Sequence, residues 1–209
     1  MGKWLGLAAL LVVFALLIGS CSVATFGVSA YNSLVSNNES VEKSWGEVNN
    51  MYQRRFDLIP NLVESTRGYA IHESDVMVGV AEARAKVGQI NLSLDQLTPQ
   101  MLANFQSAQG ELSSVLSRLM VVVEKYPDLK ANETFIRLMD EIAGTENRIT
   151  VSRTRFNETA RDYNATRNSF PTNLVANWFQ FKTYPYFEAQ EGADRAPEIN
   201  FQDLRRDGR

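Results

Sequence analysis

The N-terminal segment constrains this chain more than any other feature. No charged side chain occurs from Trp4 to Asn38, and the residues from Leu5 to Ala30 are almost all apolar or small. A helix of about 20 apolar residues is long enough to cross the hydrocarbon core of a bilayer. The sequence therefore predicts a single-pass transmembrane helix over residues 1–30.

The charges that flank this segment predict its orientation. Lys3 and the amino terminus are the positive groups on one side, whereas Glu39 and Glu42 are the first charges on the other side. Positive charge tends to stay in the cytoplasm. We therefore expect the C-terminal domain on the extracytoplasmic side of the membrane.

A second interpretation of the same segment is a lipoprotein signal peptide. The sequence Leu-Ile-Gly-Ser-Cys at 17–21 has the form of a lipobox, which would be cleaved before Cys21 and would leave that residue lipidated. The apolar run continues through residues 23–28, where a lipoprotein normally becomes polar, and this length favours a retained helix. A cleaved, secreted form is the third alternative.

Composition excludes several classes of function. The chain has 209 residues, of which 44% are hydrophobic and 22% charged, enough for one domain with one core. Its net charge of -3 offers no basic field for nucleic acid. One Cys and one His cannot form a disulfide framework, a Cys/His zinc site or the paired Glu-x-x-His motifs of a di-iron bundle. We therefore expect no nucleic acid, no metal and no cofactor.

A helical apolar stripe follows the anchor. Its members recur every three or four residues, which places them on one core-facing side of a helix; they are Val41, Trp45, Val48, Tyr52, Phe56, Ile59 and Val63. Pro60 removes one helical backbone bond. Because the apolar phase continues past Pro60, as far as Gly88, we predict a kinked helix. A reversal at Pro60 would instead turn three long helices into four.

Two further long patterns complete a helical domain. Thr98-Pro99 is a helix start signal, and a long apolar pattern follows it. Asn132 is the N-cap candidate of the last long helix, which Pro171 closes. We therefore predict an all-α, up-and-down antiparallel bundle of three to four long helices over residues 31–187.

An aromatic-rich stretch follows the last long helix. We expect its side chains to dock on the bundle, with one short helix, because so many aromatic rings are poorly placed in water; they are Trp178, Phe179, Phe181, Tyr184, Tyr186 and Phe187. Residues 188–209 are rich in charge and are predicted to form a polar tail.

The chain resembles the LemA family of bacterial membrane-anchored helical proteins over about residues 31–201. The most specific segment is Arg-Arg-Phe-Asp-Leu-Ile-Pro-Asn-Leu-Val at 54–63. Other matching segments lie at 31–35, 68–73, 83–85, 126–132, 145–149, 162–164 and 186–188. The resemblance implies a membrane-anchored bundle, and it implies no particular reaction because the family has no established enzymatic activity. Some relatives help to organise specialised bacterial membranes, which implies protein partners at the membrane.

The segment at 54–63 also holds the candidate site residues Arg54, Arg55, Asp57, Pro60 and Asn61. Arginine presents a rigid fork of donors, so this segment could bind an anion or a carboxylate of a partner. The alternative is structural. In that interpretation Arg55 lies beside the core stripe and pairs with an acid on a facing helix, for example Glu141 or Glu146.

No catalytic residue emerges from the remaining polar positions. His72-Glu73 could begin a His-Glu-x-x-His zinc motif, but residue 76 is Val. An enzyme would have to use carboxylates alone, such as Asp140 and Glu141. A sensing module would need a ligand pocket between helices, with a gap lined by Phe105, Leu116 or Ile142. We favour a non-catalytic scaffold or interaction protein of the bacterial cell envelope over both alternatives.

Overall fold

The computed structural model describes residues 2–66, 74–90 and 92–188, and this part of the chain contains helices and no strand. Four helices are long and two are short. The helices are α1 (Gly2–Thr66), α2 (Ser74–Gly88), α3 (Pro99–Val123), α4 (Pro127–Lys130), α5 (Glu133–Asn168) and α6 (Thr172–Trp178), with a 3-10 turn at Leu94–Gln96. The predicted all-α bundle is therefore confirmed.

The first helix is continuous for 65 residues and passes through Pro60. The chain does not reverse at Pro60, which agrees with the continuing apolar phase. The sequence pattern as far as Gly88 nevertheless belongs to two helices, because α2 packs back against the end of α1. Gly88 faces the ring of Phe56, and the Thr66 hydroxyl lies 3.3 Å from the Met77 sulfur. The bundle therefore has four long helices.

The predicted start signals of α3 and α5 are both present. The Thr98 hydroxyl accepts a 3.2 Å bond from the Met101 amide, and Pro99 takes the first helical position. The Asn132 side chain accepts bonds from the amides of Thr134 and Phe135. Each cap satisfies backbone donors that the first turn of a helix leaves free.

Helices α1 and α5 run antiparallel and form the spine of the bundle. Their register is marked by three polar pairs, which join Asn37 to Thr166 at 3.3 Å, Ser44 to Thr159 at 2.7 Å and Glu47 to Arg155 at 2.6 Å. The apolar stripe of α1 faces this helix. The members Val41, Trp45 and Val48 of this stripe are buried.

The core consists of two clusters that follow one another along α1. The first contains Trp45 and Tyr52 with Phe156 of α5, and it lies towards the membrane segment. The second contains Ile59 of α1 and Leu112 of α3, with further apolar residues from α2, α4 and α5. A helix has only one core stripe, so both clusters depend on the same face of α1.

The N-terminal part of α1 extends beyond the bundle. Its apolar side chains are exposed there, and examples are Leu10, Leu16, Val23 and Val28. This helix is long and apolar enough to cross a membrane, and its apolar window is almost entirely uncovered by protein. It therefore fits a single-pass membrane anchor. The predicted polar tail, from residue 189 onwards, lies outside the described residues.

Trp45 tests the first cluster. Its ring lies 5.2 Å from that of Phe156 and 6.2 Å from that of Phe187. Trp45→Ala should lower the free energy of unfolding by about 3–5 kcal/mol, because the lost ring leaves a cavity. Urea unfolding of the full-length chain in detergent measures this loss. The control Val121→Ala, at an exposed apolar position, should stay within about 0.5 kcal/mol of the parent.

Candidate functional site

Arg55 is the most buried charged residue of the described chain, with 1% of its surface exposed. Its guanidinium donates to the Ser113 hydroxyl at 3.1 Å and to the Gln109 carbonyl at 3.0 Å. It also donates to the side chains of Glu146 and Gln109. A buried guanidinium is tolerated only when such partners replace water. Glu146 is one of the two acids that were named above as expected partners of Arg55.

These groups form a polar layer between the two core clusters. On α1, Arg55 follows Tyr52 of the first cluster and precedes Ile59 of the second. Gln109 of α3 and Glu146 of α5 reach the same level from the facing helices. A sliding of any one helix by a turn would separate the buried guanidinium from its acceptors. The layer therefore favours one register of α1, α3 and α5.

The other candidate residues of the same segment lie on the surface. Arg54 is exposed and forms a 2.6 Å ion pair with Glu141 of α5. Asp57 is exposed and accepts a 2.8 Å bond from Gln53. Pro60 and Asn61 are exposed as well. The structure therefore does not bring Arg54, Arg55 and Asp57 together around one ligand, since Arg55 points into the core.

The two arginine pairs give a matched test. Glu146→Ala leaves the buried guanidinium of Arg55 without its carboxylate, and it should lower the free energy of unfolding by about 3 kcal/mol. The loss is at the low end for a buried pair because the Glu146 side chain is itself 47% exposed. Glu141→Ala breaks only the exposed pair with Arg54 and should cost less than about 1 kcal/mol. Equal losses in urea unfolding would contradict the polar layer.

The segment after α6 is a non-helical C-terminal strap (residues 181–188) that lies along α5. Asn164 donates to the Tyr184 carbonyl at 2.8 Å and accepts from its amide at 3.0 Å. Asn157 makes the same pair of bonds with Phe187, both at 2.8 Å. Each asparagine side chain therefore pairs with both the carbonyl and the amide of one strap residue, as the backbone of a neighbouring β-strand would.

Further groups hold the ends of the C-terminal strap. The Tyr163 hydroxyl donates to the Lys182 carbonyl at 2.9 Å. Gln106 of α3 donates to the Glu188 carbonyl at 3.0 Å, and Phe187 is buried against Trp45 and Phe156. The strap therefore connects α1, α3 and α5.

Sequence reasoning did not identify the two strap asparagines. The available signal was the repeated pair of an aromatic residue followed by Asn, at Phe156-Asn157 and Tyr163-Asn164, seven residues apart. Residues at that spacing share one face of a helix. The aromatic rings enter the core while the adjacent amides meet the strap.

The prediction that the whole aromatic stretch docks on the bundle is wrong for part of it. Phe187 is buried and Tyr184 partly buried, as expected. Trp178, however, is 83% exposed, and Phe179 is also exposed. Trp178 is the last residue of α6 and Phe179 is its C-cap, and the bundle leaves most of both rings uncovered.

Tyr184 is the most strongly perturbed titratable group of the C-terminal strap. Burial raises its pKa to about 12, with further contributions from Tyr163, Glu42 and Asp95. Its hydroxyl donates a 2.6 Å bond to the Asn38 side chain on α1. The neutral phenol is therefore the form that the folded strap requires.

Strap docking should consequently weaken in strong alkali. The folded state holds the Tyr184 proton more tightly than the unfolded chain, so its contribution is complete below pH 10 and declines as the pH rises towards about 12. Thermal unfolding followed across this range should show a smaller loss of stability in Tyr184→Phe than in the parent. Tyr186→Phe removes an exposed phenol of the same strap together with its 2.8 Å bond from the Asn164 amide, and it therefore controls for the loss of one strap hydrogen bond. A parent and a Tyr184→Phe variant with identical pH profiles would contradict the assignment.

Several grooves lie on the surface of the described part of the bundle, and two of them bear on the candidate sites. The α1–α5 groove has a volume of about 420 Å³ and is lined mainly by apolar surface, from residues that include Asn50, Met51, Asn147, Arg148, Val151 and Ser152. A smaller groove of about 240 Å³ is lined partly by Tyr52 and Phe105. Leu116 and Ile142, which were proposed to line a ligand gap, are buried in the second cluster.

The remaining candidates are a metal site, His72 and Cys21. Across residues 2–66, 74–90 and 92–188, no group of three or more His, Cys, Asp or Glu side chains lies close enough to hold a metal ion. His72 lies outside the described residues. Cys21, the candidate lipidation site, is exposed on the continuous helix α1.

Comparison with known proteins gives a consistent set of relatives. The model of the LemA family matches residues 44–201. Magnetosome proteins MamQ 1 and MamQ 2 of Paramagnetospirillum magneticum are each 29% identical to the chain, over 93% of its length and 78% of theirs. Protein LemA of Metamycoplasma hominis is 24% identical, over 78% of the chain and 71% of its own length.

Proposed function

Since the chain belongs to the LemA family, we propose that it is a membrane-anchored, non-catalytic helical scaffold of the bacterial cell envelope. In this proposal residues 1–30 form the anchor, residues 31–187 the bundle and residues 188–209 a polar tail. The bundle lies on the extracytoplasmic side, as the single positive residue Lys3 before the apolar run favours. The family and the MamQ relatives support the association with a membrane.

The continuity of α1 is the observation that carries this proposal. One helix of 65 residues, about 97 Å long, contains both the exposed apolar segment and the core stripe of the bundle. No flexible linker separates the two parts, since residues 27–41 are helical throughout. The bundle and its anchor therefore form one rigid body, which suits a scaffold that holds its binding surfaces at fixed distances from the membrane.

The α1–α5 groove is the surface that we assign to a protein partner. It lies between the two helices that form the spine, and the exposed side chain of Val151 lines it. Charged groups surround the apolar floor, among them Arg148 and the ion pair of Glu47 with Arg155. An apolar floor with a charged rim is the usual composition of a protein interface.

Membrane fractionation tests the anchor. The full-length protein should remain in the membrane through a high-salt wash and leave with detergent, because the apolar part of α1 is buried in lipid. Full-length protein in the soluble fraction would exclude the anchor. Cys21→Ser should change neither mass nor location if the helix is retained. Loss of an acyl mass together with a longer precursor would show that the lipoprotein alternative is correct.

Site-specific crosslinking in intact cells tests the scaffold. A photoreactive amino acid at Val151, in the α1–α5 groove, should crosslink the same one or few proteins in repeated experiments. The control position Val121 on α3 is equally apolar and exposed, and it should not crosslink them. A glycine-serine insertion after Val28 should abolish the Val151 crosslinks by uncoupling the bundle from its anchor. Crosslinks that are identical at both positions would contradict the assigned surface.

A further inference from the structure

The turn between α5 and α6, together with α6 itself, is an uncharged segment in a charged domain. Residues 168–181 contain no Asp, Glu, Lys or Arg, and the run is bounded by Arg167 and Lys182. A second uncharged run, residues 96–110, places its apolar side chains Leu102, Phe105 and Ala108 in the core. Residues 168–181 differ because most of their large apolar side chains are exposed, which is unusual for a surface that faces only water.

Four large apolar side chains of this segment are exposed. Leu174 is 61% exposed and Trp178 is 83% exposed, and their spacing of four residues places them on one face of α6. Phe170 and Phe179, at the two ends of α6, are exposed as well. Ala176 faces the core and is fully buried. We name the outward set, Phe170, Leu174, Trp178 and Phe179, the α6 surface.

The α6 surface lies at the end of the bundle where α1 leaves it for the membrane. The Tyr31 ring of α1 lies 4.8 Å from the Phe179 ring and 5.7 Å from the Phe181 ring. Tyr31 directly follows Ala30, the last residue of the apolar run. The exposed aromatic residues and the exposed anchor are therefore continuous on the surface of the molecule.

The length of α1 places Tyr31 at the level of lipid headgroups. Trp4 and Tyr31 bound the apolar run and are 27 residues apart in one helix, a distance of about 40 Å. A bilayer with both headgroup regions is about 40–45 Å thick. Trp and Tyr residues concentrate at these two boundaries. When Trp4 lies at one boundary, Tyr31 and the neighbouring α6 surface lie at the other.

We infer that the α6 surface inserts into the headgroup region of the same bilayer that α1 crosses. The inference rests on the proposed anchor and adds a second membrane contact to it. An uncharged helix face with Trp, Phe and Leu matches the chemistry of that region, where aromatic rings meet both apolar chains and water. Contacts at two points set the tilt and rotation of a helix in a membrane. α6 therefore fixes the direction in which the bundle stands.

Collision measurements on nitroxide labels test this placement in the full-length chain. Cys21→Ser removes the native thiol, and single cysteines replace Leu174, Val121 and Phe14 in three separate variants. Leu174 and Val121 are matched, since they are 61% and 67% exposed, and Phe14 reports on the anchor. Each labelled protein is placed in palmitoyl-oleoyl phosphatidylcholine nanodiscs. The ratio of collisions with oxygen to collisions with a water-soluble nickel complex then measures depth.

The expected order of the ratio is Phe14 above Leu174, and Leu174 several-fold above Val121. If the Leu174 and Val121 labels give the same ratio while the Phe14 label is deep, α6 does not touch lipid, and the anchor stands. If the Phe14 label is itself in water, the anchor and the α6 contact both fail. Spin–spin broadening of the Leu174 label that disappears on dilution with unlabelled protein would show that a second copy covers this face, and would overturn the inference.

Discussion

The antiparallel contact of α1 with α5 is the interaction on which the rest of the structure depends. Trp45, Val48 and Tyr52 of α1 are buried in the core that this contact encloses with Phe156 of α5. Burial of such side chains contributes about 1.5–3 kcal/mol each, and a long isolated helix has no comparable support in water. α1 is helical from the bundle through the exposed apolar segment, so the bundle and that segment share one helix.

The polar layer at Arg55 has a different role from the apolar contacts on either side of it. Apolar stripes on long helices can slide by a turn and still bury much of their surface. Arg55 cannot slide in this way, because its guanidinium would lose Glu146 and Gln109 while remaining buried. Apolar burial therefore supplies much of the stability of the bundle, and the layer penalises any register that separates the Arg55 guanidinium from these acceptors.

The sequence predicted those features that follow from local rules. Helical periodicity identified the stripes, side-chain capping identified the starts at Thr98 and Asn132, and the scarcity of charge identified the exposed apolar part of α1. The division of this pattern between α1 and α2 was missed because the apolar phase of α1 continues in α2. The docking of Tyr184 and Phe187 was expected, but the asparagine bonds that hold the strap were missed because they join side-chain amides to backbone groups at a distance along the chain. Such pairs leave no periodic pattern in the sequence.

The exposed aromatic rings of α6 show why the sequence rule for burial failed at one end of the molecule. The rule that aromatic side chains leave water is satisfied by a protein core or by a lipid boundary, and the sequence does not distinguish the two. The position of α6 beside Tyr31 distinguishes these two environments. Val151 of α5 lies opposite about residue 51 of α1, which is about 30 Å along the helix from Tyr31. When α6 lies at the headgroups, Val151 is therefore about 30 Å from the membrane boundary. A partner of the α1–α5 groove must therefore project that far from the bilayer, which favours another envelope protein with a folded domain over a bare transmembrane helix.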